Sequence, residues 1–179
     1  FRVVQFNAWF ADVHFEARAA ALLAILEGQG ADAINLQEVT PRLLEIIKAN
    51  AFVRAGYWLS DTTAATLAPY GVLMLVARRH EPRFHLRKLP TKMARRFLWA
   101  AVRVGGTGPA LAVGTVHLES IRGNAPTRIA QLEAIFGRVL PPPASVIVTG
   151  DFNFDPGDEE QRSLPGDLVD AWVAVKEKG

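Results

Sequence analysis

The sequence contains no cysteine. That absence excludes disulfides, thiolate metal sites and a cysteine nucleophile, and it fits an intracellular protein, cytoplasmic if bacterial and nuclear or cytoplasmic if eukaryotic. Any metal must then be held by oxygen or imidazole ligands. The sequence also lacks an uncharged apolar run of about 18 residues, and its start lacks the basic, apolar, small-residue order of a secretory leader, so neither a membrane span nor a signal peptide is expected. Charge of one sign is scarce: the formal net charge is +2, too small to argue for nucleic acid by itself. An initiating methionine is missing too. Phe1 falls inside what reads as a strand and Gly179 just after a helical segment, so the chain is expected to be an excerpt of a longer protein.

What is present is 179 residues, half of them apolar, enough to bury a substantial core as one domain spanning 1–179. The charge is unevenly placed. Residues 78–96 carry Arg78, Arg79, Arg83, Arg87, Lys88, Lys92, Arg95 and Arg96 against Glu81, whereas Asp151, Asp155, Asp158, Glu159 and Glu160 form an acidic cluster. One basic and one acidic region can face each other across a site. A solvated surface is the preferred reading for the outer arginines.

Alternation of Val and Phe over 1–6 predicts a strand ending at Asn7. Ala19, Leu22, Leu23 and Leu26 share one face of a helix over 16–26, stopped by Gly28 and Gly30. A strand over 33–36 leads into Gln37 and Glu38, and Thr40 with Pro41 opens a helix through Ile47. Successive strands, expected to be antiparallel, follow over 71–77, 84–89, 97–104 and 110–117, with Gly105-Gly106-Thr107-Gly108 turning between the last two. Asn124 is positioned to cap a helix from Pro126 to about Val139, ended by Pro141-Pro142-Pro143, and a strand over 145–149 delivers Gly150 to Asn153. The sum is an α/β class of fold with polar residues emerging where strands finish.

Four such strand ends present Asn7, Glu38, His117 and the pair Asp151 and Asn153. One or two carboxylates with waters and phosphate oxygens suffice for magnesium, and Glu38 is the best ligand candidate. Asp151 and Asn153, two apart, are expected on the same side of extended chain, sharing one water or phosphate. Each residue alone has a plainer explanation: Glu38 as a charge at the following helix start, Asn7 and Gly150-Asp151 as turn formers, His117 as a satisfied half-buried histidine. Their recurrence at four strand ends favours chemistry.

Gln5-Phe6-Asn7, Leu36-Gln37-Glu38-Val39, His117-Leu118-Glu119-Ser120 and Gly150-Asp151-Phe152-Asn153 together resemble, in order, the first four motifs of the endonuclease/exonuclease/phosphatase superfamily. Within it, Thr91-Lys92-Met93 with Arg95, residues 117–123, Arg128 with Gln131-Leu132, and Leu164-Pro165 before Val169-Asp170 are similar to the 5′-tyrosyl-DNA phosphodiesterases. The resemblance implies a layered sandwich of two mixed β-sheets flanked by helices. It implies that Glu38 binds Mg2+, with Mn2+ as a substitute, and that Asn7 lies close to the metal shell. Asp151 would position the water, Asn153 would hold a phosphate oxygen, and His117 and Ser120 would contact the phosphate. Arg95 would line the groove for a DNA end, with Arg122 beside the terminal phosphate. The implied reaction is hydrolysis of a tyrosine joined to a single-stranded DNA 5′ end, leaving a 5′-phosphate. Abasic-site endonucleases of the superfamily resemble one another in having Asn where this chain has His117.

The superfamily's closing Ser-Asp-His motif and an aromatic wall beyond Trp172 are not found before Gly179, and His14, His80 and His85 do not fit the missing role. Either the chain is an excerpt, the preferred reading, or it is a degenerate relative. Final strands lying beyond Gly179 would leave a sheet edge exposed in the excerpt. Two alternatives stand: a phosphoesterase acting on phospholipid or inositol-phosphate headgroups, and a non-catalytic DNA-end-binding relative.

Overall fold

The computed structural model describes residues 1–104, 108, 110–139 and 145–176. Two four-stranded mixed sheets pack face to face. The first contains β1 (Val3–Asn7), β2 (Ala33–Val39), β3 (Tyr57–Leu59) and β4 (Gly71–Ala77) in the order β1-β2-β4-β3. The second runs β5 (Arg83–Lys88), β6 (Arg96–Arg103), β7 (Ala110–His117) and β8 (Ser145–Asp151) in sequence order. β1 and β2 are parallel, as are β7 and β8; all other neighbours are antiparallel. Helices α1 (Phe15–Gln29) and α2 (Pro41–Ala49) lie outside the first sheet, and α4 (Ala125–Ala134) outside the second. A short α3 (Ala51–Gly56) joins α2 to β3, and α5 (Ala171–Lys176) comes last.

Period-two alternation generates these layers. In β4, Leu73, Leu75 and Ala77 pack towards α1 and α2, while Val72, Met74 and Val76 fill the space between the sheets with Leu98, Ala100, Val102, Leu111 and Val113. The opposite faces of β6 and β7 give Phe97, Trp99, Ala112 and Val116 to the layer under α4. β4 is buried on both faces, so it reads as an unbroken apolar run.

Thr40 caps α2 as expected, its Oγ1 accepting from the Leu43 N–H at 3.2 Å. Other expectations need correction. α1 continues through Gly28 and ends at Gly30, whose φ of +54° suits a residue without Cβ. The strand over 71–77 does not belong to the later meander: it pairs with β2 in the first sheet, because both its faces must be covered. Asn124 does not cap α4; its Nδ2 donates instead to the Ser120 carbonyl at 2.7 Å. The α-helix ends at Ala134 and passes into a π-helical turn over Ile135–Val139. Gly105, Gly106, Thr107 and the Pro141-Pro142-Pro143 stop lie outside the described residues.

Candidate active site

The strand face lying between the two sheets turns polar towards one end. Gln5 donates to Gln37, Gln37 Nε2 donates to Thr115 Oγ1 at 2.9 Å, and Asn35 Nδ2 donates to Thr149 Oγ1 at 2.8 Å. The same odd-numbered parity carries Asn7, His117 and Asp151 to the end of that interlayer. Each is the last residue of its strand.

Glu38 has the opposite parity, which would aim it, like Leu36, at the helices. A β-bulge prevents this. The β2–β4 register shifts between Leu36 and Val39, and Glu38 takes a left-handed φ of 58°, so its side chain joins Asn7 instead. Glu38 thus sits inside β2 rather than beyond its end, a correction to the strand-end expectation. The Phe10 N–H donates to Glu38 Oε2 at 3.0 Å and fixes the carboxylate's second oxygen.

One amide bridges the two carboxylates: Asn7 Nδ2 donates to Glu38 Oε1 at 3.0 Å and to Asp151 Oδ2 at 2.9 Å. Asn7 Oδ1 accepts from the Trp9 N–H, so the amide orientation is determined. Ligand-type atoms of Glu38, His117 and Asp151 lie within 4.8 Å of one another. Two half-buried carboxylates this close, linked by a neutral amide, present hard oxygen donors and unbalanced negative charge, a donor set that fits magnesium.

His117 lies on the Arg95 side of the site. Arg95 NH1 lies 3.0 Å from His117 Nδ1. A guanidinium can only donate, so Nδ1 accepts, and the proton of the neutral ring sits on Nε2, 3.7 Å from Asp151 Oδ2. Burial holds the imidazole's pKa below its ordinary value, the Arg95 charge lowers it further, and Asp151 and Glu38 oppose both. A neutral ring with Nε2–H directed into the site can donate to a phosphate oxygen but offers no lone pair to a metal there. Arg95 NH2 donates to Ser120 Oγ at 2.7 Å, and its guanidinium lies 5.8 Å from the centre of the Tyr70 ring.

Asn7, Glu38, Arg95, His117, Ser120 and Asp151 therefore form one network. Asn153 meets it differently from the expectation. Its φ of 56° breaks the extended chain, its N–H donates to Asp151 Oδ1 at 3.1 Å, and its Nδ2 donates to the Leu118 carbonyl at 3.0 Å. It thus buttresses Asp151 instead of lying parallel to it. Arg122 is exposed in a single 3-10 turn, where its carbonyl accepts from Arg128, and it does not join the network.

The basic and acidic stretches do not face each other as blocks. Arg95 enters the site, whereas Arg78 stacks on Trp58 and Arg79 pairs with Asp32. Glu160 is buried in an ion pair with Arg128 at 2.7 Å. His80 contacts Asp32 at the far end of β2, and His85 stacks on Trp99. Sequence reasoning passed over Phe10, stacked on Tyr70 at 4.6 Å beside the site, and the roles of Thr91 and Glu119. For Thr91 and Glu119 the available signal was their place in the resembling segments; for Phe10 there was none.

The sequence profile described as the Endonuclease/Exonuclease/phosphatase family matches residues 4–174. Tyrosyl-DNA phosphodiesterase 2 of Homo sapiens is 32% identical over 162 residues, covering 87% of this chain and 42% of that protein. The chain thus spans about two fifths of the length of the curated relatives it matches. The crystal structure of truncated Caenorhabditis elegans TDP2 superposes with a TM-score of 0.83 at 25% identity, over 98% of this chain and 70% of that one. That of D. rerio TDP2 complexed with single strand DNA product gives 0.80 at 24% identity, over 99% and 70%. These likenesses agree with the two-sheet sandwich implied by the sequence.

Proposed function

Because the chain belongs to the endonuclease/exonuclease/phosphatase family, we propose that the protein is a magnesium-dependent phosphodiesterase that removes tyrosine from single-stranded DNA 5′ ends. The observation that carries this reading is the pairing of Glu38 and Asp151 across one Asn7 amide, with the donors of His117, Arg95 and Ser120 directly beside them. A cation site abutting an anion site is what a phosphodiester requires. The tyrosyl-DNA substrate comes from the named relatives and the complex with single strand DNA product.

Glu38 would hold the metal, with Asn7 keeping its carboxylate and that of Asp151 in register. Bound there, Mg2+, or Mn2+ in its place, supplies Lewis-acid polarisation of a phosphoryl oxygen. Asp151 accepts a proton from the attacking water. Attack of water on phosphorus breaks its bond to the phenol oxygen, leaving a 5′-phosphate and tyrosine. His117 Nε2–H donates to a non-bridging phosphate oxygen, and the guanidinium of Arg95 stabilises the charge that develops there. Asn153 acts by holding Asp151 in place.

The test is a side-by-side assay of the full-length protein, at fixed magnesium and ionic strength, on 5′-phosphotyrosyl oligonucleotides, sphingomyelin and inositol phosphates. Tyrosine release should be much the fastest, and Glu38→Gln should abolish it while leaving the fold intact, because a neutral amide binds a hard cation poorly. Preference for a lipid or inositol substrate overturns the DNA assignment. DNA-end binding without turnover assigns a non-catalytic role, and full activity in folded Glu38→Gln removes the metal assignment.

A further inference from the structure

We infer that Glu119, acting through Thr91, is a positioning residue for the Arg95 guanidinium. The inference rests on the phosphodiesterase reading and extends it to residues outside the reacting groups.

Glu119 is fully buried, yet among the described residues no basic side chain forms an ion pair with its carboxylate. Burying a carboxylate without a cation is costly unless hydrogen bonds replace the lost water. Here they all come from the segment that leads to Arg95 and from α4. Oε2 accepts from Thr91 Oγ1 at 2.6 Å and from Gln131 Nε2 at 3.3 Å, and Oε1 accepts from the Lys92 N–H at 2.8 Å. Gln131 closes the arrangement from the helix side, accepting from the Glu119 N–H at 2.9 Å and donating to the Pro90 carbonyl at 2.8 Å.

The consequence passes through one hydroxyl. Because Thr91 gives its proton to Glu119, its oxygen turns lone pairs to the loop and accepts from the N–H groups of Met93 and Arg95 at 2.9 and 3.0 Å. That sets the tight turn in which Ala94 takes a φ of 57°, and the turn aims Arg95 at His117 Nδ1 and Ser120 Oγ. Ser120 is the chain neighbour of Glu119. One short segment, 117–120, therefore fixes both the backbone of Arg95, through Thr91, and the tip of its side chain. An amide in place of the carboxylate would set an NH2 against either the Thr91 hydroxyl or the Lys92 N–H. The first arrangement turns the hydroxyl proton onto the loop and breaks its grip on Arg95.

The experiment compares Thr91→Ala and Thr91→Ser in the full-length protein, alone and combined with Arg95→Ala. One readout is kcat and KM on a 5′-phosphotyrosyl oligonucleotide; the other is the 15N NMR signal of the Arg95 guanidinium in free protein. Thr91→Ala should lower kcat/KM about tenfold, the effect of losing one buried hydrogen-bonding hydroxyl. Thr91→Ser should restore it to within about twofold, and Thr91→Ala should cost nothing more once Arg95 is alanine. The Arg95 guanidinium signal should be sharp in wild type and broadened by rotation in Thr91→Ala. Effects of Thr91→Ala and Arg95→Ala that multiply, or a guanidinium signal unchanged in Thr91→Ala, overturn the inference. A wild-type protein that cleaves no phosphodiester refutes the proposed function instead, and the NMR comparison still decides the positioning. Glu119→Ala, which removes the acceptor of the Thr91 hydroxyl altogether, gives the second variant and should reproduce the Thr91→Ala signal; an Arg95 signal as sharp as wild type in it overturns the inference.

Discussion

Asp151 spends both carboxylate oxygens inside the site, Oδ2 on the Asn7 amide and Oδ1 on the Asn153 N–H. In Asp151→Asn one acceptor becomes a donor and the base is lost, so kcat should fall by at least about 100-fold, the low end of what a positioned general base contributes. DNA affinity should change far less, which a binding titration beside steady-state kinetics will show; equal loss of both would make Asp151 structural. Arg95 poses a different question. Its NH1 and NH2 reach two partners at once, His117 and Ser120, and a lysine ammonium lacks that planar fork. Arg95→Lys should therefore not be neutral in turnover although it keeps the charge, whereas Arg95→Ala, which loses the charge, should weaken DNA binding and flatten its salt dependence. An unchanged salt slope in Arg95→Ala would remove Arg95 from the DNA interface.

At the scale of elements, the strands deliver the site only because particular positions tolerate close approach. Gly150 has a φ of +151°, and a Cβ there would lie 2.1 Å from the Val116 carbonyl oxygen, which is backbone. At Gly114 a Cβ would meet the ring of Phe97 at 2.6 Å, a side chain that can shift. Both Gly→Ala changes should destabilise, Gly114→Ala by about 1–3 kcal/mol as overpacking and Gly150→Ala by more. Urea unfolding midpoints decide the order, and Gly150→Ala should also depress activity by displacing Asp151. Equal midpoints for the two variants would contradict the placement of β8 against β7. The sequence announced these strands through their apolar alternation. It did not announce that β4 leaves the meander for the other sheet, because pairing partners far apart in sequence are chosen by which faces remain to be covered.

For the whole molecule, two carboxylates hold the chain in place, Asp32 by tying distant segments together and Asp61 by closing its own loop. Burial alone would raise Asp32, but hydrogen bonds from His80, the Arg2 N–H and Arg79, with the Arg79 charge, hold it at about 2. Asp61 is likewise about 2, burial being outweighed by the hydroxyl and N–H groups of Thr66 and Thr63 in the loop before β4. Both folded pKa values lie below the ordinary carboxylate value of 3.8. Their stabilisation is therefore fully present above that value and is lost as pH falls towards 2. Urea midpoints should drop over this window, and Asp61→Asn should lower the midpoint near neutrality while shrinking its pH dependence; a midpoint flat from pH 4 to 2 would contradict both assignments. The sequence by itself determined the α/β class, through the period of its apolar residues, with the two-sheet sandwich coming from the family resemblance, and it marked Asn7, Glu38, His117 and Asp151 through polar residues following apolar runs. Parity places three of these at the interlayer end, so local pattern sufficed for them. Only the tertiary structure decided that Glu38 turns inwards, that Asn153 props Asp151, and that Glu119 grips the loop of Arg95. A bulge, a left-handed residue and a buried hydrogen bond each depend on contacts between segments remote in sequence, and no local period encodes them.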